Sequence, residues 1–237
     1  MRIGIMQPYF MPYPGYFALI KHTDQWVVFD TANYIKNGWI NRNKILAQTK
    51  EGISYITIPL HNKSRNISIK DTYIDETQEW RLKMMRQVEY YKNKAPYFNE
   101  VYALLSDILA CKTDNISELN IYSLKKTCEY LKISFHYTVF SDDRMGIETV
   151  NAPDEWALEI SKKMGADIYI NPPGGKSFYN SEKYRKDGVE LLFLSLKPYR
   201  YKTFEEKFTP DLSIIDAMMF NSVDEIASIL NNRELTS

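Results

Sequence analysis

Cysteine is scarce in this chain of 237 residues: only Cys111 and Cys128 are present. Two thiols build no disulfide framework at this length, and their separation matches no metal or redox spacing. Both read as small apolar residues on helices. Histidine is nearly as rare, with His22, His61 and His136 lacking metal-ligand spacing, and no G-x-S-x-G elbow occurs. His22 falls at a helix end, where a surface or capping role outweighs catalysis. Net charge is also lacking, since 30 Lys plus Arg stand against 30 Asp plus Glu. That balance argues against general electrostatic capture of nucleic acid or of an anionic membrane. No apolar run approaches the roughly 20 residues that cross a bilayer. At the start, only Arg2 precedes the apolar residues 3–6 before Gln7-Pro8 ends the run, far short of a signal peptide. The expected location is therefore the cytoplasm, and no motif asks for a metal or a cofactor.

Tyrosine, by contrast, is plentiful. Its 18 copies outnumber the 11 phenylalanines and 4 tryptophans together. The side chain joins an apolar body to a polar tip, which suits half-wet binding surfaces. A general compositional bias that also favours Lys, Asn and Ile is the competing explanation.

The opening of the chain reads strand, helix, strand. Residues 3–6 form a short buried strand, and a Pro- and Tyr-rich loop covers 7–14. A helix opens at Pro14 or Gly15 and runs to about Lys21, and residues 26–29 form a second strand ending at Asp30. That order is a βαβ unit with parallel strands and a right-handed crossover. After a polar stretch at 31–48, residues 54–60 and 67–74 alternate in strand fashion. The middle is helical: Trp80, Met84, Met85, Val88 and Tyr91 share one face across 78–91, and a second helix covers 101–110. Asn115 with Glu118 makes a capping box for a third helix, which carries Leu124, Cys128 and Leu131. A strand at 135–140 follows, then a helix with Trp156, Ile160 and Met164 capped by Gly165. A strand at 167–170, a short helix stopped by Gly188, a strand at 189–194 and a helix capped by Ser222 and Glu225 complete the chain. The pattern predicts an α/β fold, a Rossmann-like and mainly parallel sheet, with a helical insert in the middle of the chain. One domain over 1–237 is expected, with the insert or subdomain at about 76–132.

Open parallel sheets bind ligands beyond the carboxyl ends of their strands, so the segments after strands are the candidate sites. The first, residues 7–16, carries Gln7, Tyr9, Tyr13, Gly15 and Tyr16 among Pro8, Pro12 and Pro14. Three prolines stiffen the loop before any ligand arrives. The helix behind it offers N–H groups and a positive dipole end to an anion. Aromatic residues plugging the end of the sheet are the plainer explanation. The second segment, residues 30–44, begins with Asp30, where a carboxylate can orient a hydroxyl or an amine. Lys36, Arg42 and Lys44 can meet phosphates or carboxylates, with Tyr34, Asn41 and Asn43 beside them. Asn37-Gly38 is itself a hairpin-turn signal. The third, residues 171–179, contains Gly174-Gly175-Lys176-Ser177, but Ile170 stands where a Walker loop needs glycine. It reads better as a flexible lid in which Gly175 and Tyr179 border the ligand and Lys176 contacts an anion. Asp216 lies within a short apolar helix, where a carboxylate needs a partner or a role.

Met6-Gln-Pro-Tyr9, Pro14-Gly-Tyr-Phe17, Asp24, Asp30, Tyr34-Ile-Lys36 and Asn41-Arg-Asn43 form one set of motifs. Tyr169-Ile-Asn171, Gly175-Lys-Ser-Phe-Tyr179 and the run from Phe208 to Asp216 extend it over nearly the whole chain. In these segments the chain resembles the WbqC-like protein family. The resemblance implies a bacterial cytoplasmic protein associated with the biosynthesis of O-antigen and other surface polysaccharides. A second similarity is to pantothenate synthetases and related nucleotidyl-transferring enzymes. Those place an H-x-G-H motif after the first strand, where Tyr13-Pro-Gly-Tyr16 stands here. Neutral tyrosines can hydrogen-bond to phosphates but carry no charge to them.

The activity expected from loop placement and family context is a transferase forming an amide on a nucleotide-linked amino sugar or similar amine. Its partner would be a small anionic molecule. Tyr16 and Asp30 would orient the amine, Arg42 and Lys36 would clamp the anion, and Lys176 would close over the donor, with proximity supplying much of the rate. A non-catalytic ligand-binding or scaffold protein of a glycan-assembly pathway is the alternative, and a degenerate adenylate-forming ligase is a third.

Overall fold

The computed structural model describes residues 1–61, 66–147 and 149–237, with 143 and 144 described in their backbone alone. The expected βαβ unit opens the chain. Strands β1 (Arg2–Met6) and β2 (Gln25–Val28) run parallel, with Ile3 opposite Gln25, and helix α1 (Pro14–Lys21) connects them. Pro14 suits the first turn of α1, because the N–H it lacks would have no partner within the helix. His22 ends α1 and its Nε2 donates to the Leu230 carbonyl at 3.1 Å. Burial lowers the pKa of this imidazole to about 4, so it stands there neutral rather than as a cation on the helix dipole.

Strands β3 (Arg42–Leu46) and β4 (Ile53–Thr57) pair antiparallel as a separate two-stranded sheet. The sequence reading differs from the structure here. Residues 42–46 belong to the polar stretch, yet they form a strand in which Asn43 and Ile45 are buried while Arg42 and Lys44 stay half-buried. Alternation is present, but the inward positions include an amide, which hides the period of two. Residues 67–74 read as a strand and instead form a 3-10 turn at Ile69–Asp71 between isolated bridges. The Thr72 hydroxyl donates to the Ser68 carbonyl at 2.9 Å, a local bond that competes with a ladder.

The helical middle comprises α2 (Trp80–Val88), α3 (Phe98–Leu109) and α4 (Ile116–Tyr130). Asn115 caps α4 by accepting from the Ser117 and Glu118 N–H groups, while the Glu118 carboxylate bonds Thr113 instead of closing the box. Cys128 is buried on α4, whereas Cys111 lies just past the end of α3 and is half-buried. Strand β5 (Tyr137–Val139) is shorter than its reading, because Phe140 opens the short helix α5 (Phe140–Asp143). There follow α6 (Glu155–Lys163), β6 (Ile168–Asn171), α7 (Ser181–Lys186), β7 (Glu190–Leu196), α8 (Ile214–Phe220), α9 (Val223–Asn231) and β8 (Arg233–Thr236).

The main sheet has the order β5-β2-β1-β6-β7-β8. All neighbours are parallel except β8, which returns antiparallel along β7. Counted along the chain, this is the Rossmann order, and it reverses between β1 and β6. Helices cover both faces. Ile3, Ile5 and Val27 pack with Leu158, Ile160 and Tyr184 on one side, and Trp26 and Val28 pack with Phe17, Leu124 and Ile215 on the other. Val101, Leu105 and Leu119 of the helical middle belong to that second cluster.

Asp216 sits in the first turn of α8 with 1% exposure. It accepts hydrogen bonds from the hydroxyls of Tyr91 at 2.7 Å and Tyr201 at 2.6 Å, and the Tyr91 oxygen in turn accepts from the Leu46 N–H at 2.8 Å. The carboxylate thus ties α8 to the end of the helical segment after α2 and to β3. Burial raises its pKa to about 6, with both tyrosines pulling the other way. A carboxyl group with a raised folded-state pKa stabilises the fold below its unfolded pKa and loses that contribution as pH rises through about 6. Asp216→Asn is neutral at every pH. Between about pH 4 and about pH 7, its unfolding free energy should move in its favour relative to the unmodified protein by up to roughly 3 kcal/mol. Urea unfolding of both proteins at the two pH values checks this, and a constant gap would show that Asp216 is not the titrating group.

Candidate functional site

Two of the cavities at the carboxyl edge of the main sheet share Tyr9 in their lining. The first, of about 920 Å³, lies where the strand order reverses, against the segments that follow β1, β2, β5 and β6. Phe29, Phe140 and Trp156 form an aromatic cluster on one side, with ring centroids 5.3 to 5.8 Å apart. Gln7, Thr31, Asn33, Asn171 and Tyr179 add amides and hydroxyls, and no charged side chain among the described residues lines the space. The second cavity, of about 750 Å³, lies between the start of α1, β3 and the segment after β7, and Lys44, Lys197, Arg200 and Asp211 line it.

The loop after β1 is held by bonds to its carbonyl groups. The Asn120 amide donates to Pro8 O at 2.9 Å and to Ile40 O at 2.7 Å, and the Asn43 amide donates to Phe10 O at 3.2 Å and Met11 O at 2.9 Å. The Ser213 hydroxyl reaches Met11 O at 2.7 Å, and the Ile214 N–H reaches Pro12 O at 2.8 Å. Met11 adopts a left-handed backbone with φ of 41°. Such a conformation costs a β-carbon-bearing residue about 1–2 kcal/mol, and the two donors on its carbonyl hold it in place.

The segment after β6 has its own lock. The Asn171 amide donates to the hydroxyls of Tyr169 and Tyr179, which lie 3.2 Å apart. Gly175 folds over this group, and a β-carbon there would lie 2.5 Å from Asn171 Oδ1. Only glycine permits that approach. Burial raises the pKa of Tyr9, Tyr13 and Tyr179, so these phenols stay protonated and serve as hydrogen-bond groups rather than as bases.

The structure distributes the candidate residues unevenly. Gln7, Tyr9, Gly175 and Tyr179 line the first cavity, and Tyr9, Tyr13, Gly15, Asn43 and Lys44 line the second. Tyr16 is 2% exposed, with its hydroxyl donating to Gln7 O at 2.8 Å and its ring 5.2 Å from that of Trp26, so it props the loop from beneath. Tyr34 and Asn41 are likewise inward: the Tyr34 hydroxyl donates to Asn41 Oδ1 at 3.0 Å, and the Asn41 amide donates to Ile58 O at 2.7 Å. Arg42 donates to the carbonyls of Gly38 and Asn37 and stacks 4.4 Å over the Tyr55 ring, which places it on the 37–38 turn instead of in either cavity. Lys36 is exposed and lines neither cavity, and Lys176 donates to the Ser237 carbonyl at 2.7 Å. Asp30 lies outside both and lines a third cavity of about 660 Å³ with Lys70, Lys112 and Ser141. It accepts from the Ser141 N–H at 3.1 Å and hydroxyl at 2.6 Å, and burial raises its pKa. A strand-like alternation explains this: Phe29 and Thr31 line the first cavity, and the residue between them points away.

The family model described as the WbqC-like protein family matches residues 7–228, from the first loop into α9. This chain belongs to the WbqC-like family. The uncharacterized protein Rv1507c of Mycobacterium tuberculosis is 30% identical over 223 residues, covering 93% of each chain. No solved structure matches this WbqC-like chain. Among its described residues, no group of three or more His, Cys, Asp or Glu side chains could hold a metal, and no helix is long and apolar enough to cross a membrane.

Sequence reasoning missed Lys197 and Arg200, which lie just past β7, and the aromatic wall of Phe140 and Trp156. Lys197 and Arg200 follow a strand, so a search of every segment after a strand would have reached them. Because the Asn43 amide serves two loop carbonyls, Asn43→Ala should lower stability by about 2–4 kcal/mol. Chemical denaturation measures the loss, and an unchanged midpoint would show that Asn43 does not hold the loop.

Proposed function

We propose that this chain binds a nucleotide-linked amino sugar, or a similar small amine, in the first cavity and forms an amide on it during bacterial surface-polysaccharide biosynthesis in the cytoplasm. The observation carrying the reading is Gln7. Its side-chain carbonyl is buried in the lining of the first cavity and has no hydrogen-bond partner among the described residues. A buried acceptor left unpaired costs about 1–3 kcal/mol, and a turn of the half-buried Gln7 side chain into the cavity would bring it to an amine or hydroxyl of the ligand. Asn33, Asn171 and Tyr179 offer further hydrogen bonds, while Phe29, Phe140 and Trp156 supply apolar cover for a ring.

The uncharged lining has a chemical consequence. It disfavours an ammonium and favours the neutral amine, which is the nucleophile that amide formation requires. The amine nitrogen would attack the carbonyl of an activated acyl donor, such as a thioester. The new C–N bond replaces the bond to the leaving group, which departs with its electron pair, and the proton lost by the nitrogen passes to the departing thiolate. Family membership supports the setting of this reading, and the cavity supports its ligand. Non-catalytic binding is the second reading. It is favoured by the position of Asp30 beyond the cavity and by the raised pKa of Tyr9 and Tyr179, which leave no ready base among the residues lining it.

A thermal-shift panel of nucleotide-linked amino sugars tests the ligand. A true ligand at about 100 times its Kd should add roughly 2.7 kcal/mol of stability. Gln7→Ala should weaken that ligand about tenfold while leaving the free protein at least as stable as before, since the side-chain carbonyl has no partner to lose and its unpaired burial is relieved. A panel without any hit would remove the reading. With a ligand in hand, mass spectrometry after addition of an acyl donor separates transfer from plain binding.

A further inference from the structure

We infer that the second cavity is a diphosphate subsite, in which Lys44, Lys197 and Arg200 receive the anionic part of the ligand whose uncharged part occupies the first cavity. The inference rests on the ligand class proposed above, and two of its three cations, Lys197 and Arg200, are residues that the sequence motifs did not single out. Three cations line this space against one carboxylate, Asp211, and none of the three makes an ion pair among the described residues. Lys44 Nζ lies 5.4 Å from the centre of the Trp39 ring, which leaves its N–H donors without a protein oxygen. Lys197 and Arg200 bracket Pro198 and Tyr199 just past β7, where a phosphate oxygen can meet an ammonium and a bidentate guanidinium together.

The start of α1 contributes to the same cavity. Gly15 lines it, the first turn of α1 holds no acidic residue, and the Tyr13 side chain makes no capping bond. The positive end of the helix therefore adds to the field of the three cations. A β-carbon at Gly15 would lie 2.3 Å from the Tyr13 ring, so glycine lets that ring settle against the helix start as part of the wall. Tyr13, Trp39, Tyr199 and Phe208 give the cavity its aromatic sides, while Lys197 and Arg200 stand exposed to solvent at its mouth.

Continuity between the cavities fits a ligand with a neutral and a charged part. Tyr9 lines both, while the adjacent residues Pro172 and Pro173 line the first and the second respectively. A nucleoside diphosphate joined to a sugar confines its phosphate charge to a pyrophosphate bridge between two uncharged ends, of which the sugar would enter the first cavity. The contrast between a lining without charge and a lining with three cations favours the pyrophosphate in the second cavity and an uncharged end in the first.

Inorganic pyrophosphate is the direct probe, because it carries the charge without base or sugar. Titration calorimetry on the full chain should show binding that weakens as salt rises, through screening and competition by anions. Lys197→Gln with Arg200→Gln should weaken it by about tenfold or more. Lys83→Gln with Lys92→Gln removes the same charge from exposed positions away from the cavity and should leave the binding unchanged. No pyrophosphate binding at millimolar concentration, or equal loss in both double variants, overturns the inference. If nucleotide-linked sugars bind but Lys197→Gln with Arg200→Gln does not weaken them, the diphosphate assignment fails and the proposed ligand class stands. If pyrophosphate binding depends on Lys197 and Arg200 while no nucleotide-linked sugar binds, the subsite stands and the proposed function fails.

Discussion

The site depends on satisfying the carbonyl groups of one buried loop. Residues 8–12 run through the protein as irregular chain, without a helix or a strand ladder to pair their backbone. Buried carbonyls need donors, and here the Asn43 and Asn120 amides, the Ser213 hydroxyl and the Ile214 N–H provide them. These groups come from β3, from α4 and from the start of α8, as far as 202 residues away in the chain. The loop conformation, including the left-handed Met11, is therefore a property of the assembled fold. Both cavities inherit their shape from it through Tyr9.

The two cavities differ in electrostatics while sharing a border. Neutral amides, phenols and aromatic rings make the first, and cations with aromatic sides make the second. Raised pKa values keep the bordering tyrosines protonated, so both linings keep their hydrogen-bonding character near neutral pH. Net zero charge for the chain conceals this local separation, because counting charges over a sequence discards their positions. The tyrosine surplus divides in a similar way. Tyr9, Tyr13 and Tyr179 border cavities, whereas Tyr16 and Tyr34 are packed inside and use their hydroxyls on neighbouring loops.

Local signals carried much of the architecture. Short apolar strands with a helix between them announce a parallel unit, and Pro14, Asn115 and Ser222 mark helix starts that the structure contains. Strand β3 was hidden because Asn43 occupies an inward position, where an amide is tolerated only once Phe10 and Met11 accept its hydrogens. Strand β8 was hidden for a related reason. An antiparallel edge strand of Arg, Glu, Leu and Thr has no strong apolar period, and it forms because β7 offers it an edge.

By itself, the sequence determined the α/β class, the parallel βαβ opening and the rule that the segments after strands gather at one edge of the sheet. Those features follow from residue periodicity and turn chemistry, which act over a few neighbours. Only the tertiary structure decided which side chains face a cavity. It turned Asp30 toward Ser141, tied Arg42 to the 37–38 turn and sent Lys176 to Ser237, while bringing Lys197 and Arg200 beside Tyr13. The direction of a side chain in a loop is set by which distant group satisfies its hydrogen bonds and charge, and that partner exists only after the chain has folded.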